Sequence, residues 1–250
     1  MKKFTNALML GAISIATVVA MNSCDKTPTE PDMAITPIEG ELHYADAVAL
    51  TVTGAPADAT VTYESSDEWV AVIKGDSLFC NHIGEAVITA TAGDKKATYT
   101  VKVTPRYTMA TEPLWDWNCT AADLKAKKGE PYQTSENSLY YLQDKEKNII
   151  ESYVFKTDKL IASALMIPVT TKEEVAEWGN FLYERYMGAG TSQDQSTIYF
   201  INASAPEDAT MIVLVYMLED GNLVIEYQPY EHKANAPALK PAKKGMPLFL

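Results

Sequence analysis

Glu173, Glu174 and Glu177 crowd one short stretch of the chain, and paired carboxylates are what a glycoside hydrolase uses as acid and base. The same acids have a simpler reading. Thr170 and Thr171 each precede a glutamate by three residues, which is the spacing of a helix start, and acids in a first turn favour the helix dipole. His43, His82 and His232 are dispersed, with no HExxH and no CxxC, so no metal or cofactor is expected. Asn118-Cys119-Thr120 has no neighbouring histidine and no GxSxG occurs, so no catalytic nucleophile is expected either. Six aromatic residues are the remaining chemistry. Trp115, Trp117, Tyr140, Tyr141, Tyr227 and Tyr230 offer a stacking platform for a sugar or peptide, against the alternative that alternating aromatic residues on strands form core.

Charge narrows the partners. The 250 residues carry a formal net charge of -12, and loss of an N-terminal segment holding Lys2 and Lys3 would make it two units more negative. Nucleic-acid binding needs a basic surface, so it is excluded as a class. After Lys2 and Lys3 comes an apolar run from Ala7 to Met21, then Asn22, Ser23 and Cys24. The run is shorter than the roughly 20 residues that span a bilayer and reads as a secretory signal. It resembles a bacterial lipoprotein signal, which implies that Cys24 becomes the first residue of the mature chain and carries acyl chains holding the protein to a membrane. That leaves Cys80 and Cys119. Two buried free thiols are the simpler expectation, and a disulfide between them is the open alternative.

The elements follow from periodicity. Residues 1–23 are expected to be signal peptide and residues 24–33 a proline-containing tether. From 34 to 105 short alternating strands are expected: Ala34–Ile38, Val48–Thr53, Thr60–Glu64, Val70–Ile73, Ser77–Cys80, Ala86–Thr91 and Ala97–Val103. Seven short strands with glycine-rich turns imply an all-β sandwich of immunoglobulin type. The residues Tyr63-Glu64-Ser65-Ser66-Asp67-Glu68-Trp69-Val70-Ala71-Val72, Gly75, and Gly84-Glu85-Ala86-Val87-Ile88-Thr89-Ala90 resemble the bacterial Ig-like group 2 family. The resemblance covers this part of the chain alone and implies a spacer or adhesin-type module without chemistry.

Residues 106–230 read as an α+β domain. Thr120 to Asp123 is a capping-box start for a short helix ending at Gly129. Strands are expected at Ser138–Leu142, Ile149–Phe155 and Leu160–Ile167. A second helix runs from Thr170 or Thr171 to Met187, with Val175, Trp178, Leu182 and Tyr186 at helical spacing and Gly188 and Gly190 as its stop. Strands at Ile198–Asn202, Met211–Met217 and Leu223–Gln228 complete a helix and three strands, twice over, and one sheet covered by two helices would bury both apolar helix faces. The first unit, with Gly129-Glu130-Pro131 and Phe155-Lys156-Thr157-Asp158-Lys159-Leu160, resembles the helix-meander modules of outer-membrane assembly lipoproteins and β-lactamase-inhibitor proteins, which implies protein binding through an open sheet face. Residues 231–250, with four lysines and Met246-Pro247-Leu248-Phe249-Leu250, read as an extended tail.

Taken together, these features lead us to expect an outer-membrane lipoprotein facing the periplasm or the cell surface. It is expected to be non-catalytic and to bind a glycan or an envelope protein. A hydrolase with its site in the α+β region or at the interface is the alternative.

Overall fold

Alternation of apolar and polar residues governs the first part of the molecule. The structure, a computed structural model, describes residues 32–231. The expected signal, Cys24, nearly all of the tether, His232 and the tail beyond Glu231 lie outside the described residues. Among the described residues the fold is mostly β, built of antiparallel sheets with two α-helices. Strands β1 (Ala34–Ile35) and β3 (Val52–Thr53) pair with each other. β2 (Ala47–Ala49), β5 (Ala71–Lys74) and β6 (Ser77–Cys80) form one three-stranded sheet in the order β2-β6-β5. β4 (Thr62–Ser65), β7 (Gly84–Ala92) and β8 (Lys95–Val103) form another in the order β4-β7-β8. Leu78, Ala71, Ile88, Ala90, Val101 and Val103 from both three-stranded sheets meet in one buried core. The single strand expected over Val48–Thr53 is broken in two, because Leu50 turns into that core while its N–H bonds the Asp76 carbonyl.

Gly84 opens β7 with φ +147, and a Cβ there would lie 2.7 Å from Val70 Cγ2. Alanine must therefore both adopt a conformation that disfavours side chains and push into a buried valine. Gly84→Ala is expected to lower stability by about 2 kcal/mol, read as a fall in the urea midpoint at unchanged m-value.

The second part begins with α1 (Ala121–Lys128), capped as expected by a reciprocal Thr120–Asp123 box. Four strands follow: β9 (Gln133–Ser135), β10 (Ser138–Asp144), β11 (Ile149–Lys156) and β12 (Lys159–Pro168). Then come α2 (Lys172–Tyr183), with a Thr171–Glu174 capping box, and β13 (Met187–Thr191), β14 (Thr197–Ile201), β15 (Met211–Met217) and β16 (Asn222–Pro229). All eight strands join in one antiparallel sheet, ordered β13-β14-β15-β16-β12-β11-β10-β9.

Each helix is thus followed by four strands where three were expected. β9 escapes pattern reading because Gln133-Thr134-Ser135 has no apolar residue. The α2 helix ends at Tyr183, short of Met187, and Gly188 and Gly190 serve an edge-strand irregularity opposite β14. Tyr186 accordingly lies beyond the helix, though it is still buried.

Strand period two divides the sheet into two faces. Ile149, Leu165, Ile167, Val213, Val215, Leu223 and Ile225 face α2 and pack against Val175, Trp178, Phe181 and Leu182. Leu139, Tyr141, Tyr153, Phe155 and Leu160 pack against Leu124 of α1. Both helices therefore cover the same face, and burial of these side chains at about 25 cal/mol per Å2 is what holds them there.

Candidate binding surface

The segment from Arg106 to Asn118 enters the eight-stranded part as a strap, and buried polar groups fasten it. Glu184, at the C-cap of α2, is 0 % exposed. Its carboxylate accepts from the Arg106 N–H (2.9 Å), the Tyr107 N–H (3.2 Å) and Arg185 Nη1 (2.5 Å), and its carbonyl accepts from the Ile83 N–H (2.8 Å). Arg185 lies over the Phe181 ring and also donates to the Phe181 and Tyr107 carbonyls, with Glu112 3.6 Å from Nε. The Tyr186 hydroxyl donates to Glu112. Burial pushes the Glu112 carboxyl up, with the Tyr186 hydroxyl and Arg185 pulling it back. Beside the same carboxylate the Tyr227 hydroxyl is buried without a hydrogen bond of good geometry.

Further along the strap, Gln143 bonds both the N–H and the carbonyl of Thr111, and the Leu114 N–H donates to the Tyr153 hydroxyl. Tyr153 in turn donates to Glu151 (2.8 Å), which also accepts from Gln143 (2.6 Å) and Lys128 Nζ (2.6 Å). Burial, reinforced by Glu151, pushes the Tyr153 phenol up. These groups are fully committed to holding chain. They border an open cleft of about 540 Å3, lined in part by Lys128, Glu130, Tyr132 and Tyr141.

The opposite sheet face is different in kind. Two cross-strand rows define it: Tyr140, Ser152, Ala164, Glu226, Leu214 and Tyr199, and beside them Leu142, Ile150, Met166, Val224, Tyr216 and Thr197. Toward one corner, Ala203 and Ala209 cover Ile201, Ile212 and Tyr199. The middle carries a hollow of about 180 Å3, floored by the small side chains Ser152, Ala162 and Ala164 and walled by Val154, Met166 and Tyr216. Glu226 stands at its side, accepting from the Tyr216 hydroxyl (2.7 Å) and Gln228 Nε2 (2.6 Å). Burial, with Glu226, pushes the Tyr216 phenol up, so it remains a donor at neutral pH.

The structure does not assemble the six aromatic candidates into one platform. Tyr227 is 0 % exposed in the main core and Tyr141 is buried against Tyr153, because the odd-numbered positions of β10 and β16 face the helices. Trp117 packs between the two helix-side cores, whereas Trp115 is exposed on the strap. Tyr140 is on the open face, and Tyr230 packs at its covered corner. Tyr199, Tyr216, Met166 and Glu226 are the residues that sequence reading passed over. Their alternation with the buried core residues of β12, β14, β15 and β16 is the signal that groups them.

Among the acids first considered, Glu174 accepts from the Thr170 and Thr171 N–H groups, which hold it below the usual carboxylate range. It is a cap and stays ionised, which unfits it as a proton donor. With Glu177 it borders a cleft of about 340 Å3 whose walls include Met109, Ile149 and Trp178. His43 bonds the Thr104 carbonyl and His82 stacks on Trp69, and no group of three or more metal-ligating side chains converges among the described residues. Cys80 and Cys119 are both free and buried. Burial, with Asp46 nearby, pushes the Cys80 thiol up to about 11, which leaves it unreactive at neutral pH.

No protein-family model matches the chain, and no curated protein does. Among solved structures, it is similar to a cysteine-rich secretory protein from Staphylococcus aureus, at 13 % identity and a TM-score of 0.24, over 54 % of this chain and 55 % of that one. Two structures of the surface layer protein SbsC are also similar. Domains 4–9 match at 13 % identity and a TM-score of 0.27, over 83 % of this chain and 32 % of that one. Domains 5–6 match at 12 % identity and 0.26, over 83 % of this chain and all of that one. The chain thus spans about half the length of the secretory protein and a third of the longer surface-layer fragment.

Proposed function

We propose that this is a non-catalytic outer-membrane lipoprotein, anchored through Cys24 and facing the periplasm or the cell surface, which binds an extended segment of a protein partner. In this reading residues 34–105 are an immunoglobulin-type sandwich of the bacterial Ig-like group 2 kind acting as spacer. Residues 106–230 are the α+β recognition domain. The observation that carries the binding role is the apolar sheet face opposite the helices, with its hollow and its single central carboxylate. A protein segment is favoured over a glycan because the middle of the face offers aliphatic side chains and few polar groups. A sugar site needs a dense set of both stacking rings and hydrogen-bonding groups. The clamped strap supports a spacer role, since it fixes the entry of the chain into the sheet through Glu184 and Arg185.

The alternative, a hydrolase in the α+β region or at the interface, has its best location in the cleft beside Glu151. Commitment of that carboxylate to three donors favours the binding reading.

Two measurements test the proposal. Cys24→Ser is expected to move the protein from the membrane to the soluble fraction, and unchanged membrane association would overturn the anchor. Cross-linking in intact cells is expected to capture a protein through the wild-type face and to fail with Met166→Arg, which puts a charge beside the hollow. Capture unaffected by Met166→Arg, or retention on a glycan matrix alone, would overturn the surface.

A further inference from the structure

Glu226 is the one charged side chain in the two central rows of the open face, and the two donors it has among the described residues are neutral. Covering such a carboxylate with an uncharged apolar surface is costly, because its water is lost without a countercharge. An occupant of this face therefore has to bring a cation together with a large apolar side chain for the hollow. That combination occurs within the chain itself. Residues 233–250 hold Lys233, Lys240, Lys243 and Lys244 and no acid, and Lys243-Lys244-Gly245 runs directly into Met246-Pro247-Leu248-Phe249-Leu250. Pro237, Pro241 and Pro247 favour an extended course over a helix.

Position and reach agree. The segment follows β16, which lies in the middle of the sheet, and Glu226 is on that same strand three residues before Pro229. The strand is about 26 Å long at 3.3 Å per residue. The 19 residues 232–250 can stretch to about 60 Å, enough to turn back and run its full length.

We propose that residues 232–250 dock on the open sheet face, with Lys243 or Lys244 at Glu226 and Leu248 or Phe249 in the hollow beside Met166. The segment is then a built-in occupant of the surface assigned above to the partner, and the partner has to displace it. This rests on that assignment, and the test separates the two.

The test uses soluble Cys24→Ser protein, as the full chain and as a chain ending at Glu231, with a labelled synthetic peptide of residues 232–250 as probe. The shortened chain is expected to bind the peptide one to one, while the full chain binds it at least about tenfold more weakly. Glu226→Gln in the shortened chain should weaken binding about tenfold, the worth of one charge-assisted bond, and raised salt should act the same way. Met166→Arg should abolish it. A full chain carrying Leu248→Asp and Phe249→Asp guards against misfolding on truncation, and it is expected to accept the peptide as the shortened chain does.

Peptide that binds neither form, binds both equally, or ignores Met166→Arg overturns the proposal. So does a shortened chain that dimerises through the face in preference to taking the peptide. Partner capture that depends on Met166 without any peptide binding would refute the tail alone. Peptide binding with no partner captured by either form would support the tail and refute the partner role.

Discussion

Arg185→Ala is expected to lower stability by about 3–5 kcal/mol, measured by urea unfolding of the soluble Cys24→Ser protein. The guanidinium is 8 % exposed and serves Glu184, Glu112 and the carbonyls of Phe181 and Tyr107 while stacking on the Phe181 ring. Alanine removes all of this at once and leaves the buried Glu184 carboxylate, and the partly buried Glu112 carboxylate, without their countercharge. Glu184 keeps two backbone N–H donors, which holds the loss toward the lower end of the range. Lysine should recover less than half of it, because an ammonium cannot fork between two carboxylates and two carbonyls.

The pH dependence has a definite sign. Burial raises the Glu112 carboxyl in the folded protein, so its ionised form opposes folding above that raised value. The opposition disappears as pH falls through it. Loss of the Arg185 charge strengthens the effect, so the deficit of Arg185→Ala should shrink as pH is lowered from 7 toward 5. A loss below about 1 kcal/mol with no such recovery would mean that the strap is held by apolar packing alone.

Glu151→Ala is expected to cost about 2–3 kcal/mol. Its carboxylate is 2 % exposed and ties β10, β11 and the end of α1 to the strap through Gln143, Tyr153 and Lys128. The three donors fare differently on its removal. Lys128 can return to water and Gln143 retains the Thr111 carbonyl, but the Tyr153 hydroxyl is left without an acceptor at a fully buried site. Tyr153→Phe in the Glu151→Ala background should therefore restore more than half of the loss. A double variant no more stable than Glu151→Ala would place the cost in the cavity instead.

Local rules account for much of the chain. The capping boxes at Thr120–Asp123 and Thr171–Glu174 were legible because three-residue reciprocity is a sequence property, and both are present. Asp220-Gly221 likewise marks the β15–β16 hairpin, with Gly221 at φ +85. Strands β7, β8, β11, β12, β15 and β16 are legible as runs of seven or more residues rich in apolar and β-branched side chains. Gly188 and Gly190 show the limit. Glycine releases the backbone from the usual angles without saying what replaces the helix, and pairing with β14 determined that.

The candidate surface divides the same way. Sequence alone determined that Tyr140 and Tyr141 face opposite sides of a strand, and that Met166, Tyr216 and Glu226 each alternate with core residues. It could not determine which side the helices cover, because both sides of these strands are apolar enough to be core. Only the tertiary structure put α1 and α2 on one face together, burying Tyr141 and Tyr227 and leaving Tyr216 and Glu226 beside a hollow. The polar strap clamp was equally out of reach. Glu184 and Arg106 lie 78 positions apart, and a bond between them exists only once the α2 C-cap and the chain entering the sheet have met.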